Sequence, residues 1–175
     1  MTNDWKEEFG QVYQRGVAAW REGRQSAATL FTSADTAFLA TIGYTTQELF
    51  DFVEDVERYG EPDFETALAL AEIRRRYFLE VLHGKATGRS ITMESLPAKA
   101  AEVDGIAWLP RLIEKARAKL RGEMPDDLMY GCGGDRAFFA RVHMSAPEFL
   151  QLTWDSGDNA RRIIDTVKKA AASRK

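Results

Sequence analysis

The chain has 175 residues, of which 45% are hydrophobic and 29% are charged, and its formal net charge is -3. This length allows one globular domain or two small halves fused together. The low net charge provides no basic field for a nucleic-acid backbone and no polybasic segment for a membrane surface, so we expect neither partner. The single cysteine, Cys132, excludes an internal disulfide. With no signal-peptide pattern and no long apolar run, these features predict a cytoplasmic protein.

The chain repeats itself once at an offset of one hundred residues. Residues 35–49 align without a gap with residues 135–149 and share five identities, including Asp35 with Asp135. The same register holds upstream, where Arg15 aligns with Lys115. The sequence therefore predicts two diverged copies of one unit. Features that occur in only one copy are candidates for a special role.

Each copy is predicted to open with an amphipathic helix. Apolar residues recur at helical spacing from Trp5 to Trp20 and again from Ile106 to Leu120. After a loop, Asp35 and Asp135 each precede an apolar run, which predicts that they are the N-caps of short buried helices.

The next predicted element in each copy begins with a capping box. The segments 45–48 and 145–148 each place a hydroxyl three residues before a glutamate, so that each side chain satisfies a free backbone N–H group. Each copy then closes with a longer helix. We expect the first to extend from about Asp63 to Gly84 and the second to begin near Ser156 or Asp158.

These elements define the predicted domain organisation. Residues 1–84 form the first helical repeat, residues 85–104 a connector that packs locally, and residues 105–175 the second repeat. Because alternating strand patterns are scarce, the predicted fold is all-α, with two tandem diverged helical repeats packed around a shared core. The fused copies would bury their apolar faces against each other through a pseudo-two-fold contact.

The two copies differ most in the loop before the short helix. Residues 30–34 read Leu-Phe-Thr-Ser-Ala, whereas residues 130–134 read Tyr-Gly-Cys-Gly-Gly. The glycines permit close approach of a ligand, and a following helix start offers N–H groups and a positive dipole end. Because a thiol in this position can be reactive, Cys132 and Asp135 are candidate catalytic residues. The alternative is a tight turn with Cys132 as a small buried hydrophobe.

Several residues are candidates for binding a small anionic ligand at this loop. They combine cationic side chains, a phenol and glycines: Arg111, Lys115, Tyr130, Gly133, Gly134 and Arg136. This interpretation requires the loop to fold back over the helix that precedes it.

Two further patterns have structural explanations. Glu80 and His83 have the spacing found in di-metal helical bundles, but such a site needs a second copy, and the position equivalent to His83 lies beyond Lys175. We therefore predict no metal and no cofactor. His143 closes a short helix and need not face the thiol. Residues 74–76 are three consecutive arginines, which cannot point in one direction on a helix.

Parts of the second half resemble a bacterial family known as the domain of unknown function 5069. The motifs that carry the resemblance are Leu109-Pro110-Arg111, Lys115-Ala116-Arg117 and Cys132-Gly-Gly-Asp135, and the resemblance extends over about residues 95–172. It implies no particular activity, but it implies that Cys132, Asp135 and Arg111 belong to one site. The first copy has Thr32 in place of Cys132, so it would be scaffold or a degenerate site.

Two classes of function follow. The first is a small-ligand or substrate site in which Cys132 is a nucleophile or redox thiol. The second is a non-catalytic helical interaction or homodimerisation module in which Cys132 is structural. An exposed thiol in a polar-lined pocket would favour the first class, and a large apolar patch with a buried thiol the second.

Overall fold

The computed structural model describes residues 4–173 and is predominantly helical. Within those residues it contains nine α-helices, one short 3-10 helix and one two-stranded sheet, and 65% of the described residues are in helices. The predicted helical fold is therefore confirmed, apart from the small sheet. Across the same residues, no helix combines the length and the apolar character that a membrane crossing requires.

The chain divides into two compact units, one up to Ala86 and the other from Thr87. The first unit consists of α1 (Trp5–Arg21), α2 (Ala27–Leu30), α3 (Ser33–Thr41), α4 (Thr46–Tyr59) and α5 (Phe64–Glu80). The apolar stripe of α1 packs against α4, as its helical spacing predicts. The most deeply buried side chains of this unit include Phe9, Val12, Leu39, Leu49, Phe52, Val53 and Leu70.

The second unit begins with the 3-10 helix Met93–Ser95 and a hairpin. The strands β1 (Glu102–Val103) and β2 (Ile106–Ala107) pair antiparallel, and they are followed by α6 (Leu109–Arg121), α7 (Gly133–Val142), α8 (Ala146–Ser156) and α9 (Ala160–Ala172). Helix α8 packs against α6 and α9. Together with α7, these helices bury a core that includes Leu109, Leu112, Ala116, Phe138, Phe149, Leu150, Ile163 and Val167. The shared core expected from the repeat stays a prediction.

The capping boxes at Thr45 and Ser145 are confirmed, but the predicted N-caps Asp35 and Asp135 are wrong. Helix α3 has Thr32 as its N-cap, and α7 has Cys132. Both aspartates therefore lie three residues further on, in the first helical turn. In α3 the cause is local, because Thr32 and Asp35 form a capping box of their own.

Three helix ends also differ from the prediction. Helix α6 begins at Leu109 rather than Ile106, because Ile106 pairs with Val103 in the hairpin. Helix α5 has the expected cap Asp63 but ends at Glu80, four residues before Gly84. Helix α9 begins at Ala160, where the Asn159 side chain accepts a hydrogen bond from the backbone N–H of Arg162.

The hairpin turn is held to α9 by Asp104. Asp104 and Gly105 have φ angles of 51° and 77°, as a two-residue turn of primed type requires. The Asp104 carboxylate accepts hydrogen bonds from Arg161 Nη2 at 2.7 Å and from Lys168 Nζ at 2.9 Å. These two hydrogen bonds lower the pKa of Asp104 from 3.8 to about 2.

This depressed pKa predicts a pH-dependent contribution to stability. Asp104 stabilises the folded state above pH 3.8, and this contribution is lost as the pH falls towards about 2, because the unfolded state then binds the proton more tightly. We expect wild type to have a higher Tm than Asp104→Asn at pH 7, and the difference to shrink between pH 4 and 2. Thermal denaturation across that range measures it. A difference that is independent of pH would contradict the prediction.

Candidate functional site

A buried ion pair joins α6 to the first turn of α7. Lys115 Nζ lies 2.6 Å from Asp135 Oδ2, and the two side chains are 2% and 0% exposed. Lys115 lies on the face of α6 that packs into the unit, and Asp135 on the inward face of α7. A charged pair so far from water is retained only where its geometry and its further hydrogen bonds are favourable.

Asp135 has those further hydrogen bonds. Trp108 Nε1 donates to Oδ1 at 2.9 Å, and the backbone N–H of Gly131 donates to Oδ2, also at 2.9 Å. Together with Lys115, these donors come from the end of the hairpin, the glycine loop and α6. The Asp135 carboxylate therefore orders the loop by gathering three segments of the second unit, rather than by capping α7.

Cys132 lies at the edge of this network. It is the N-cap of α7 and is partly buried. Its Sγ atom lies 3.4 Å from Lys115 Nζ, which makes it a second acceptor for the buried ammonium group. Gly133 and Gly134, the next two residues, are exposed, so solvent reaches the backbone beside the sulfur.

Gly134 is required by the packing of Trp108. A Cβ atom added to Gly134 would lie 2.6 Å from Cζ2 of the Trp108 ring, well inside van der Waals contact. At Gly133 an added Cβ would meet Arg136 Nη2 at 3.8 Å, which is an ordinary contact. The two adjacent glycines therefore have different roles. Gly134 lets the indole approach Asp135, and Gly133 leaves space beside the thiol.

The other predicted binding residues have different surroundings. Arg136 Nη1 donates to the Gly131 carbonyl at 2.9 Å, which braces the loop. Arg111 is buried and donates to the Pro97 carbonyl at 2.9 Å. The Tyr130 hydroxyl donates to the Ala146 carbonyl at 2.8 Å. Complete burial, reinforced by the charge on Asp135, raises the pKa of Tyr130 well above 10, so this phenol stays neutral.

The structure thus brings Cys132, Lys115 and Asp135 together and adds Trp108, which sequence reasoning missed. Trp108 precedes Asp135 by 27 residues, and it adopts a φ of 76° as the N-cap of α6. In the repeat alignment its counterpart is Glu8, so neither the periodicity nor the repeat indicated it. Positive φ is unusual for a large side chain, and here it turns the chain from the hairpin into α6.

The first unit contains a related pair with a different environment. Arg15 Nε donates to Asp35 Oδ1 at 3.2 Å, and Thr32 Oγ1 donates to Oδ2 at 2.8 Å. Arg15, however, is 50% exposed. Burial acts to raise the pKa of Asp35, but the hydrogen bonds from Arg15 and Thr32 lower it below its usual value. The cation of this pair is half-exposed, whereas Lys115 is buried.

Neither histidine is a partner of Lys115 or Asp135. Both are exposed and have positive φ, 53° at His83 in the turn after α5 and 57° at His143. His143 is the C-cap of α7, at the opposite end of the helix from Cys132. In the part of the chain from residue 4 to 173, no group of three or more His, Cys, Asp and Glu side chains is arranged to hold a metal ion.

The second unit is therefore a helical unit that contains a buried ion pair between Lys115 and Asp135, with the Cys132 thiol at the edge of this pair. The family described as "Domain of unknown function (DUF5069)" matches residues 94–175, the second half of the chain. This match confirms the resemblance of the second half to that family, and Cys132, Lys115 and Asp135 lie inside the matched residues. Comparisons with curated proteins and with solved structures find no match for the chain.

Proposed function

We propose that the loop around Cys132 is a small-ligand or substrate site in which this thiol acts as a nucleophile or redox centre. The observation that supports the proposal is the 3.4 Å contact between Lys115 Nζ and Cys132 Sγ. The reactive form of a cysteine is the thiolate, and a neighbouring cation and a helix N-terminus both stabilise negative charge on sulfur. Cys132 has both neighbours.

The surroundings support a positioning role for Asp135. Its ion pair with Lys115 holds the ammonium group in one place beside the sulfur. The Lys115 side chain therefore loses little conformational entropy when a ligand binds. The exposed Gly133 leaves room for the incoming group. A small electrophile with an anionic group fits this environment best, because the ammonium and the first N–H groups of α7 would attract it.

The comparison of the two units supports a specific role for the second one. Each unit has a cation–carboxylate pair at the same repeat position, Arg15 with Asp35 and Lys115 with Asp135. We infer that the units are diverged copies of one ancestor, in which this pair joins the opening helix to the short helix. The thiol and the buried ammonium occur in the second copy, which is why we assign the thiol site there and a scaffold role to the equivalent loop of the first copy.

The rate of Cys132 alkylation by iodoacetamide at pH 7 tests the proposal. In this reaction the sulfur forms a bond to the methylene carbon, and iodide leaves with its electron pair. We expect the native protein to react faster than the chain unfolded in urea. Lys115→Met should slow the native reaction about tenfold or more, because it removes a unit charge next to the sulfur. The matched control is Lys119→Met, which removes another buried cation one turn further along α6.

Lys115→Arg tests whether a slower reaction of Lys115→Met comes from the lost charge or from unfolding. It keeps the positive charge, so a folded variant should retain most of the reactivity, and circular dichroism checks the fold of each variant. Native Cys132 that reacts no faster than the unfolded chain would refute a reactive thiol. The alternative, a non-catalytic interaction or homodimerisation module with a structural Cys132, would then be examined by sedimentation.

A further inference from the structure

The three consecutive arginines of α5 have different environments. Arg75 lies over the ring of Trp5, 5.1 Å from its centroid, and Arg76 Nε donates to Glu80 at 3.3 Å. Arg74 is only 2% exposed, and its Nε and Nη1 atoms have no hydrogen-bond partner among residues 4–173. Arg74 is thus a buried cation with two donor atoms, Nε and Nη1, that are not satisfied by the part of the chain that the structure describes.

The groups around Arg74 are mainly aromatic. Its guanidinium lies 5.6 Å from the centroid of the Phe78 ring, and Tyr44, Tyr77 and Glu48 lie within electrostatic range. Burial lowers the pKa of Arg74 below its usual value, while the Glu48 charge opposes this effect. An arginine nevertheless stays charged at neutral pH. Burying a charge with unsatisfied donors is costly, so the environment favours an added anion.

We propose that Arg74 anchors a second ligand site, in the first unit, for a small organic monocarboxylate with an aromatic or apolar body. A guanidinium forms strong charge-assisted hydrogen bonds with a carboxylate. The aromatic side chains around it suit an apolar body, in keeping with the usual lining of small-molecule sites. Because the Glu48 carboxylate is close, a single negative charge is favoured over the higher charge of a phosphate.

This site is independent of the thiol chemistry. It is formed by residues of α4, α5 and the turn before α4, and it uses neither Cys132 nor Lys115. Failure of one proposal therefore leaves the other standing.

The test uses benzoate as the probe, with acetate and inorganic phosphate for comparison at constant ionic strength. We expect benzoate to raise the Tm of the full chain by several degrees, more than acetate or phosphate does. Arg74→Met should lose this stabilisation and should be at least as stable as wild type without benzoate, because it removes the poorly satisfied charge. The matched control Arg75→Met, on the same helix, should keep the response.

Nitrogen-15 NMR of the arginine Nε–H groups gives a second readout that needs no stable Met variant. The Arg74 signal, assigned by its absence in Arg74→Lys, should move on benzoate titration while the Arg75 signal stays in place. An unmoved Arg74 signal, or equal stabilisation of wild type and Arg74→Met, would overturn the proposal. Stronger stabilisation by phosphate than by benzoate would overturn the assigned ligand class.

Discussion

Asp135→Ala is expected to lower the free energy of unfolding of the second unit by about 3–5 kcal/mol, the usual cost of breaking a buried ion pair. The substitution leaves the Lys115 ammonium, which is 2% exposed, without its carboxylate. It also removes the acceptor of the Trp108 indole N–H and of the Gly131 backbone N–H. Hydrogen exchange of the α7 amides measures the effect within the second unit.

Asp35→Ala in the first unit is the matched control. It removes the equivalent carboxylate, but Arg15 is 50% exposed and water can solvate it afterwards. The expected loss is about 1 kcal/mol, which reflects mainly the capping box with Thr32. Equal losses in the two units would show that burial of the lysine does not set the cost.

A double variant separates the net contribution of the ion pair to stability from the cost of leaving one buried charge without its partner. Lys115→Met combined with Asp135→Leu replaces both charges by apolar groups. We expect it to recover much of the stability that Asp135→Ala loses, because no buried charge is left behind. It should not recover the rapid alkylation of Cys132, which depends on the ammonium group. A double variant as unstable as Asp135→Ala would mean that the Asp135 hydrogen bonds to Trp108 and Gly131 dominate.

Gly134→Ala is expected to destabilise the second unit by about 1–3 kcal/mol through overpacking. The added methyl group would lie 2.6 Å from Trp108 Cζ2, so the indole must shift away from the Asp135 carboxylate. Since that carboxylate holds Lys115 beside the sulfur, alkylation of Cys132 should also become slower. Urea denaturation and the alkylation assay measure the two effects.

The neighbouring substitution Gly133→Ala is the control. An added Cβ there meets Arg136 Nη2 at 3.8 Å, and Gly133 is already helical. We expect a small gain in stability of about 0.5 kcal/mol, because alanine restricts the unfolded chain more than glycine does. If both substitutions have the same effect, the contact between Trp108 and Gly134 is not the cause.

The sequence predicted interactions between residues close together in the chain, and it missed those between distant residues. The capping boxes at Thr45 and Ser145 connect residues three apart, so the sequence alone predicts them. Both are present in the structure. The N-cap of α7 is Cys132 rather than the predicted Asp135, and the two are hard to tell apart in the sequence because both are short polar side chains near a helix start. Their assignment depends on Lys115 and Trp108, which hold Asp135 from other segments.

The sequence by itself determined a helical fold and its main helices, because periodicity and capping are properties of neighbouring residues, and it indicated the candidate residues Cys132, Lys115 and Asp135. The tertiary structure decided that Lys115 is buried, that it also contacts the sulfur, and that Arg74 is buried with unsatisfied donors. It also brought Trp108 to Asp135 across 27 residues. Such contacts arise when separate helices pack, and the packing sets which polar groups lose water and which partners remain for them.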